Sequence, residues 1–414
     1  VHIIGVDSDL FFSAEENKET HKKLALTKEN VTYNEINSVH GHDAFLIEYT
    51  QLEKIIAPIF NNGTKEVKMK IVKFGGKSLA NGKGLQHAID IILDKISNNE
   101  RIVIVASARG NTTDVLEDIL EKAVKKESYT EQLNALKKYQ LEPNNDVDFS
   151  KEFLNLKSIL KGVSLLGDYS QKVKDEVLAQ GELLSVKLIE SLLIKNGIKA
   201  NATDARELII TDKNFGNAQP IHSLSKENIV NYFKKYNGKT VNIVTGFIAS
   251  NLKNETTTLG RNGSNYTASL LANYLDAEEL QNYTHVNGIF TANPDLVSDA
   301  KKIDQLSFSE ANELANFGAT ILHAKTIIPL LEKNINLRIL NTFNLADKGT
   351  LITSKSSIKG IKSISTINNV ALINFQGRGL LGKVGVDARI FKSLSDKNIS
   401  VSIISQGSSE RGIG

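Results

Sequence analysis

The spacing of apolar positions along the chain predicts alternating strands and helices. KIVKF is a short apolar run typical of a buried strand, and LQHAIDIILDKI repeats apolar residues at helical spacing. RIVIVASA at 101–108 and VNIVTGFIAS at 241–250 are further runs of the kind found in buried parallel strands. Residues 114–200 are mostly amphipathic helix. This alternation predicts an α/β sandwich with a mostly parallel sheet and ligands at the carboxyl ends of its strands.

Two flanking segments have other patterns. Residues 1–62 open with the strand-like run HIIGVD and end in GHDAFLIEYTQLEKIIAPIF, which predicts a helix. The apolar residues of that helix are Phe45, Ile47, Leu52, Ile55 and Ile56. Polar runs at 61–68 and 353–359 predict linkers, and the strand–helix–strand pattern beyond the second predicts a small α+β unit, too short to form a core alone. The predicted domains are 1–62, 69–352 and 359–414.

Composition narrows the class of protein. With 414 residues, 41% hydrophobic and 23% charged, the chain has the make-up of a soluble globular protein of two or three domains. A net charge of +3 gives no electrostatic case for nucleic acid, and no apolar run is long enough to predict a membrane span. The absence of cysteine excludes disulfides and fits a cytoplasmic protein. Because the chain begins at Val1 and its only methionine is Met69, we expect a fragment of a longer protein.

The run IVKFGGKS at 71–78 resembles the end of a phosphate-binding P-loop. A P-loop requires G-x-x-x-x-G-K-[ST], which would place its first glycine at Ile71, inside an apolar run. The P-loop interpretation therefore fails. A lysine followed by two glycines at the end of a strand needs another explanation.

Seven motifs supply that explanation. They are KFGGKS (73–78), SARGNTTD (107–114), QGELLS (180–185), TGFIAS (245–250), LGRNGSNYTA (259–268), THVNGIFTANP (284–294) and NFGATILHAKT (316–326). By these motifs residues 69–352 resemble the aspartate kinases of the amino-acid kinase family, which bind ATP without a P-loop. The resemblance implies ATP- and Mg²⁺-dependent formation of 4-phospho-L-aspartate, the entry to lysine, threonine and methionine biosynthesis.

The resemblance also implies roles for the acceptor-site residues. The side-chain carboxylate of aspartate has a solution pKa of about 3.9, so it is already a nucleophile near pH 7 and needs no general base. The family pattern places Lys73 on the transferring phosphate, Arg261 on the α-carboxylate and Glu182 on the α-ammonium. Asn265 stands at a further catalytic position. The residues implied to line the aspartate pocket are Ser107, Thr113, Phe247 and Ser264.

On the nucleotide side, the backbone N–H groups of Gly75 and Gly76 are implied to cradle phosphate beside Lys73. The other implied nucleotide-site residues are Thr284, His285, Phe290 and Thr320. Mg²⁺ is implied as the partner of ATP, and the sequence singles out no residue as its ligand.

Several positions depart from the family pattern. Asn265 replaces a usual aspartate and so keeps the shape while losing the charge, and His285 and Asn287 replace two aspartates. The other departures are Phe290 for tyrosine, Asn293 for aspartate, Asp295 for arginine and Thr320 for lysine. They predict either altered ATP binding in an active kinase or binding without turnover.

Residues 1–62 resemble the C-terminal end of homoserine O-acetyltransferase, an α/β-hydrolase-fold enzyme. VDSDLFF matches the loop with the acid of a catalytic triad, here Asp9, and HGHDAFL matches the loop with its histidine, here His42. A surface histidine, or a metal held by His40 and His42, are the alternatives. The serine nucleophile would lie before Val1, so we expect this segment to be inert in acyl transfer.

Residues 363–414 resemble the first half of an ACT regulatory domain, through GRGLLGKVGVDARIF at 377–391 and SIISQGSSE at 402–410. The resemblance implies an amino-acid effector and a homo-oligomer, and a homoserine dehydrogenase follows in some relatives. A connector with a tight turn is the alternative.

Two other functions compete with aspartate phosphorylation. One is a non-catalytic amino-acid or nucleotide sensor, which Asn265 and Thr320 favour. The other is a kinase for glutamate or a carbamate-like acceptor, against which Glu182, Phe247 and the ACT segment argue.

Overall fold

The computed structural model describes residues 1–61, 68–235, 240–316, 323–355, 360–366, 370–376, 384–397, 399–401, 403–406 and 410–413. The chain forms two compact units, Val1–Lys68 and Met69–Gly414. No helix in these described ranges is long and apolar enough to cross a bilayer.

The first unit is built on a pair of parallel strands. Its elements are β1 (His2–Val6), α1 (Ala14–Ala25), β2 (Thr32–Ile36), a 3-10 turn (Gly41–Leu46) and α2 (Tyr49–Asn61). Strands β1 and β2 pair in parallel, with His2 opposite Thr32. The small core consists of Val6, Ile36 and Ala44, on which Ile4, Leu52 and Ile55 pack.

The helix predicted to include Phe45 and Ile47 begins only at Tyr49, so that prediction was wrong at its start. The carbonyl of Ala44 accepts from the N–H groups of both Ile47 and Glu48, which closes the 3-10 turn separately from α2. Phe45 and Ile47 are exposed as a result, whereas Leu52 and Ile55 inside α2 pack on the core.

The second unit contains the strand–helix alternation that the apolar pattern predicts. Its first half consists of β3 (Met69–Phe74), α3 (Asn81–Ser97), β4 (Arg101–Ala106), α4 (Thr112–Val124), α5 (Thr130–Leu141), α6 (Ser150–Leu166), α7 (Gln171–Lys195), β5 (Ala200–Thr203), β6 (Ile210–Thr211) and α8 (His222–Lys234). Its second half continues with β7 (Val241–Thr245), β8 (Ile248–Asn251), β9 (Thr256–Thr258), α9 (Gly263–Tyr274), β10 (Glu279–Thr284), β11 (Ile289–Phe290), β12 (Lys302–Ile303), β13 (Gln305–Ser307), α10 (Phe308–Asn316), α11 (Ala324–Lys333), β14 (Asn336–Asn341) and β15 (Thr350–Thr353).

One sheet organises this unit, in the order β13-β15-β14-β10-β3-β4-β7-β5. Its pairs are parallel except for the antiparallel pair β14–β15, so the predicted α/β sandwich with a mostly parallel sheet is confirmed. Alternate residues of β3 enter different cores: Ile71 packs on one face of the sheet, and Val72 and Phe74 pack on the other. Both faces are covered, which explains why the strands read as continuous apolar runs.

The predicted single strand at 241–250 is two strands in different sheets. Strand β7 belongs to the main sheet, whereas β8 joins β6 and β9 in a small separate sheet. Between them Phe247 has φ +66°, a left-handed conformation that ends the extended chain. The break places Phe247 beyond the carboxyl end of β7.

The C-terminal part is a small α+β unit, as predicted. Its described elements are β16 (Ile373–Gln376), α12 (Val386–Ser395), β17 (Ile404–Gln406) and β18 (Glu410–Ile413). The three strands form an antiparallel sheet in the order β16-β18-β17. Residues 377–383 of the matched run 377–391 lie outside the described residues.

Candidate active site

A cavity of about 680 Å³ lies beyond the carboxyl ends of β3, β4 and β7. Its walls come from the loops after those strands, from one side of α7 and from the start of α9. The predicted site residues that line it are Lys73, Gly76, Ser107, Thr113, Glu182, Phe247, Arg261, Ser264 and Asn265. Residues predicted from five separate motifs are thus brought to one cavity.

A second cavity of about 260 Å³ adjoins the first and shares Lys73, Gly76 and Asn265 with it. The predicted residues Gly75, Thr284 and His285 line this second cavity, together with Lys77, Ser78, Asn282 and Tyr283, which the sequence analysis did not assign. Lys73 and Asn265 therefore stand at the junction of two spaces.

The remaining predicted nucleotide residues are Phe290 and Thr320. Phe290 lines neither of the two cavities, and its carbonyl accepts from the Ser363 hydroxyl at 2.9 Å. Thr320 lies outside the described residues. Thr284 uses its hydroxyl locally, accepting from the Val286 N–H at 3.1 Å.

Lys73 is the penultimate residue of β3, between β10 and β4 of the sheet. The side chain is only 8% exposed. Its ammonium has no hydrogen bond or ion pair with any described residue, and burial lowers its pKa to about 8. A buried cation without a counter-charge is costly, so an anion would bind favourably here.

The two glycines after β3 differ in the hydrogen bonding of their N–H groups. The Gly75 N–H donates to the Tyr283 carbonyl at 3.2 Å, which leaves the Gly76 N–H as the backbone donor of the pair for an anion. The Gly76 carbonyl accepts from the Gly110 N–H at 2.9 Å. A Cβ on Gly76 would lie 2.8 Å from the carbonyl oxygens of Ala108 and Gly110, so only glycine fits. The contact fixes the loops after β3 and β4 against each other.

Glu182 is 3% exposed and lies on α7. Its Oε1 accepts from the Ala108 N–H at 3.2 Å, and its buried Oε2 has no partner among the described residues. Burial raises the pKa of this carboxyl group to about 8. A cationic ligand group would satisfy the second oxygen and favour the ionised form.

One wall of the large cavity is formed where Phe247 meets the start of α9. The Phe247 N–H donates to the Thr267 hydroxyl at 3.2 Å, and its carbonyl accepts from the Leu259 N–H at 2.9 Å. A Cβ on Gly263 would lie 2.7 Å from the Phe247 ring, so α9 approaches the ring closely because residue 263 is glycine. Arg261, just before the helix, is exposed at the mouth of the cavity.

Asn265, in the first turn of α9, is 9% exposed. Its Oδ1 is buried and has no hydrogen-bond partner among the described residues. Together with the Lys73 ammonium, this amide gives the junction of the two cavities unsatisfied polar groups of both kinds, a donor and an acceptor.

Some lining residues were missed from the sequence. Asn111, Asp114, Gln171 and Lys174 line the large cavity, and the buried Asp175 lies behind its wall. Asp175 precedes Glu182 by seven residues, which is two turns along the same face of a helix. That spacing was the feature of the sequence from which Asp175 could have been linked to the site.

His285 lines the smaller cavity. Burial lowers the pKa of His285, Lys77 lowers it further, and Asp295 opposes both effects.

Within the described ranges, no group of three or more His, Asp or Glu side chains is arranged to hold a metal ion.

In the first unit the structure brings the predicted pair Asp9 and His42 together. The His42 Nδ1–H donates to Asp9 Oδ2 at 2.9 Å, while Asp9 Oδ1 accepts from the N–H groups of Phe11 and Phe12 at 2.8 and 3.1 Å. The hydrogen bond from His42 is the main cause of the lowered pKa of Asp9. This arrangement fixes the tautomer of the histidine and leaves its Nε2 as an acceptor.

Comparison with known proteins gives a family for most of the second unit. A model of the amino acid kinase family matches residues 68–341, and a model of the ACT domain matches residues 373–414. Bifunctional aspartokinase/homoserine dehydrogenase 2 of Arabidopsis thaliana is 33% identical over 361 residues, which cover 82% of this chain and 39% of that protein. The chain thus spans about two fifths of the length of such bifunctional relatives.

Two further similarities cover more of the compared protein. Aspartokinase 2 of Arabidopsis thaliana is 31% identical over 360 residues, which cover 83% of this chain and 65% of that protein. The crystal structure of E. coli aspartokinase III in complex with aspartate and ADP matches with a TM-score of 0.73 and 29% identity, covering 84% of this chain and 78% of that one.

Proposed function

Because the chain belongs to the amino acid kinase family, we propose that it transfers the γ-phosphoryl group of ATP to the side-chain carboxylate of L-aspartate. The product is 4-phospho-L-aspartate, a mixed anhydride from which lysine, threonine and methionine can be made. The observation that carries the proposal is the convergence of Lys73, Glu182 and Arg261 on one cavity.

The acceptor amino acid would be held at its two α-groups. The unpartnered Oε2 of Glu182 is suited to the α-ammonium, and the exposed guanidinium of Arg261 is suited to a bidentate contact with the α-carboxylate. These contacts leave the side-chain carboxylate free to point at Lys73. That carboxylate is ionised near neutral pH, so positioning and charge stabilisation are the tasks left to the protein.

The nucleotide phosphates would lie at the junction with the smaller cavity. The buried Lys73 ammonium, the Gly76 N–H and the close contact of Gly76 with the next loop fit a phosphate that approaches the backbone. Mg²⁺, which neutralises phosphate charge, would enter with ATP and take most of its ligands from phosphate and water. The unpartnered Oδ1 atoms of Asn265 and Asn282 are uncharged oxygens that line this cavity and would be available to the ion.

The proposal is tested with the whole chain, Mg·ATP, L-aspartate and hydroxylamine, which converts an acyl phosphate into a coloured hydroxamate. We expect hydroxamate that depends on both substrates. Lys73→Ala serves as the blank, because it removes the buried ammonium and leaves the rest of the cavity in place.

A second candidate function is a sensor that binds without turnover, and the uncharged Asn265 is the observation that favours it. A folded chain that binds ADP and aspartate calorimetrically but forms no hydroxamate would support the sensor. In that case the double variant Asn265→Asp, Thr320→Lys should begin to turn over. A chain that neither binds nor turns over would refute both candidates.

The flanking parts carry their own proposals. The ACT segment would bind an amino-acid effector in a homo-oligomer. Adding L-lysine, L-threonine and L-methionine to the hydroxamate assay tests this.

Residues 1–62 would be the C-terminal end of an α/β-hydrolase-fold acetyltransferase, and the Asp9–His42 pair supports that assignment. A serine-directed fluorophosphonate should then leave this segment unlabelled, because the triad serine of that fold precedes the acid and the histidine along the chain; labelling there would contradict this view.

A further inference from the structure

Asp175 is a carboxylate that lies behind the cavity wall with no solvent exposure. Its Oδ2 accepts from two backbone N–H groups, Gly216 at 2.8 Å and Thr258 at 2.9 Å. Its Oδ1 accepts from the Thr258 hydroxyl at 3.1 Å and from the Gln171 amide at 3.2 Å. The phosphoryl-transfer chemistry uses none of these contacts.

These hydrogen bonds join α7 to the two segments that lead to Arg261. Thr258 is the last residue of β9, three residues before Arg261. The turn at Gly216 continues to Asn217, whose Oδ1 would lie 2.7 Å from a Cβ on Gly260, the residue before Arg261. Both sets of contacts from Asp175 therefore lead to the chain segment just before Arg261.

The other end of the connection is Glu182. Asp175 and Glu182 lie on one continuous helix, Gln171–Lys195, two turns apart. Burial on both sides of this stretch of α7 keeps it rigid, so a constraint applied at Asp175 also holds the relative position of Glu182 and Arg261.

We propose that Asp175 is a positioning residue that fixes the place of Arg261 relative to Glu182. Through this it sets how far from Lys73 the α-groups of the acceptor amino acid are held, and so the side-chain length that the site prefers. The inference rests on the proposed function, since it assigns Glu182 to the α-ammonium and Arg261 to the α-carboxylate. It adds a determinant of specificity that does not contact the substrate.

The geometry makes different substitutions at Asp175 distinguishable. Asparagine can present its Oδ1 to the two backbone donors and its NH₂ to Thr258 and Gln171, whose hydroxyl and amide can reverse direction. Alanine removes every acceptor and leaves buried N–H groups unpaired. Glutamate keeps a carboxylate but is one methylene longer, so it pushes β9 away from α7.

The experiment compares Asp175→Ala, Asp175→Asn and Asp175→Glu in the whole chain by hydroxamate kinetics with L-aspartate and L-glutamate, and by calorimetric binding of both amino acids. Lys172→Ala is the matched control. Lys172 also links α7 to the start of β9, through a surface ion pair at 2.7 Å with Glu255, the residue before that strand.

We expect Asp175→Ala to raise the KM for aspartate about 10- to 100-fold, with the KM for ATP changed less than about twofold, because misplacement affects only the acceptor end. Asp175→Asn should stay within about threefold of wild type, as the control should. Asp175→Glu should lower the preference for aspartate over glutamate about tenfold. If the alanine variant does not fold, the glutamate variant decides.

Three outcomes overturn the inference while leaving the proposed function intact. They are an unchanged aspartate KM in folded alanine and glutamate variants, an equal rise in the KM for ATP, and an asparagine variant as impaired as alanine. A wild-type chain that neither phosphorylates nor binds aspartate overturns the proposed function, and the inference with it.

Discussion

The Glu182→Gln variant tests the acceptor site most directly. Glutamine has nearly the same shape, so its Oε1 can still accept from the Ala108 N–H while the charge is lost. A hydrogen bond between a buried carboxylate and an ammonium contributes about 2–3 kcal/mol to binding. We therefore expect the affinity for L-aspartate to fall about 30- to 150-fold, with little change in the affinity for ADP.

The pH dependence makes this prediction sharper. In the free protein burial raises the pKa of Glu182 to about 8, whereas the bound ammonium requires the ionised form. Aspartate binding to the wild type near pH 7 should therefore release close to one proton, and the affinity should rise about tenfold per pH unit until about pH 8. The glutamine variant should release none, and its affinity should be flat over the same range.

Calorimetric titration without ATP, in buffers with different ionisation enthalpies, counts the proton. Glu176→Gln is the control, since it removes a carboxylate from the next-but-one turn of the same helix without touching the Ala108 contact. A wild type that releases no proton, or a glutamine variant with the wild-type slope, would refute the assignment.

The same titration has a consequence for stability. The neutral carboxyl group contributes stability that is fully present below pH 4.5 and is lost as the pH rises to about 8. The melting temperature of Glu182→Gln relative to wild type should therefore increase across that window; a constant difference would argue against a buried, titrating Glu182.

Three more substitutions test other parts of the site. Lys73→Met should lower kcat about 10²- to 10³-fold in the hydroxamate assay, since it removes one preorganised charge, and a smaller KM-only effect would place Lys73 away from the transferring phosphate. Arg261→Lys should raise the KM for aspartate about tenfold without changing that for ATP, because the bidentate fork is lost; equal effects on both substrates would contradict its role. Gly76→Ala should destabilise the fold by about 1–3 kcal/mol in denaturant melts and weaken ADP binding, since its Cβ would clash with the Ala108 and Gly110 carbonyls, and wild-type stability would show that the loops yield.

The sheet could be predicted because both of its faces are covered. Ile71 and Val72 point to opposite sides, yet both are buried, so β3 appears in the sequence as an uninterrupted apolar run. Strand β2, with the sequence TYNEI, was not predicted, because it pairs with β1 while only its last residue is fully buried. Backbone pairing of this kind leaves little trace in hydrophobic patterning.

The break at Phe247 shows a second limit. Its positive φ is held by two hydrogen bonds with other segments: the Phe247 N–H donates to the Thr267 hydroxyl, and the Phe247 carbonyl accepts from the Leu259 N–H. A phenylalanine in an apolar run gives no sign of this conformation. Family motifs still assigned Phe247 to the aspartate pocket, and the residue lines the large cavity, because motifs record chemistry and not local conformation.

Asp175 was missed for a related reason. A carboxylate on a helix is usually solvated, and its partners Gly216 and Thr258 are 41 and 83 residues away along the chain. The seven-residue spacing to Glu182 puts Asp175 on the same helix face, but the partners that give Asp175 its role are set by tertiary contacts.

For enzyme redesign, Phe247 and Gly263 form an epistatic pair. Glycine adopts φ +66° without the strain that phenylalanine bears, so Phe247→Gly relaxes the backbone while it deletes a ring from the pocket wall. The vacated volume is where a methyl at 263 would go: once the ring is gone, a Cβ on Gly263 meets the Cα of residue 247 at 3.1 Å and the Leu259 Cβ at 3.2 Å. A combinatorial library that varies both positions together would therefore sample acceptor pockets that neither single-site library contains.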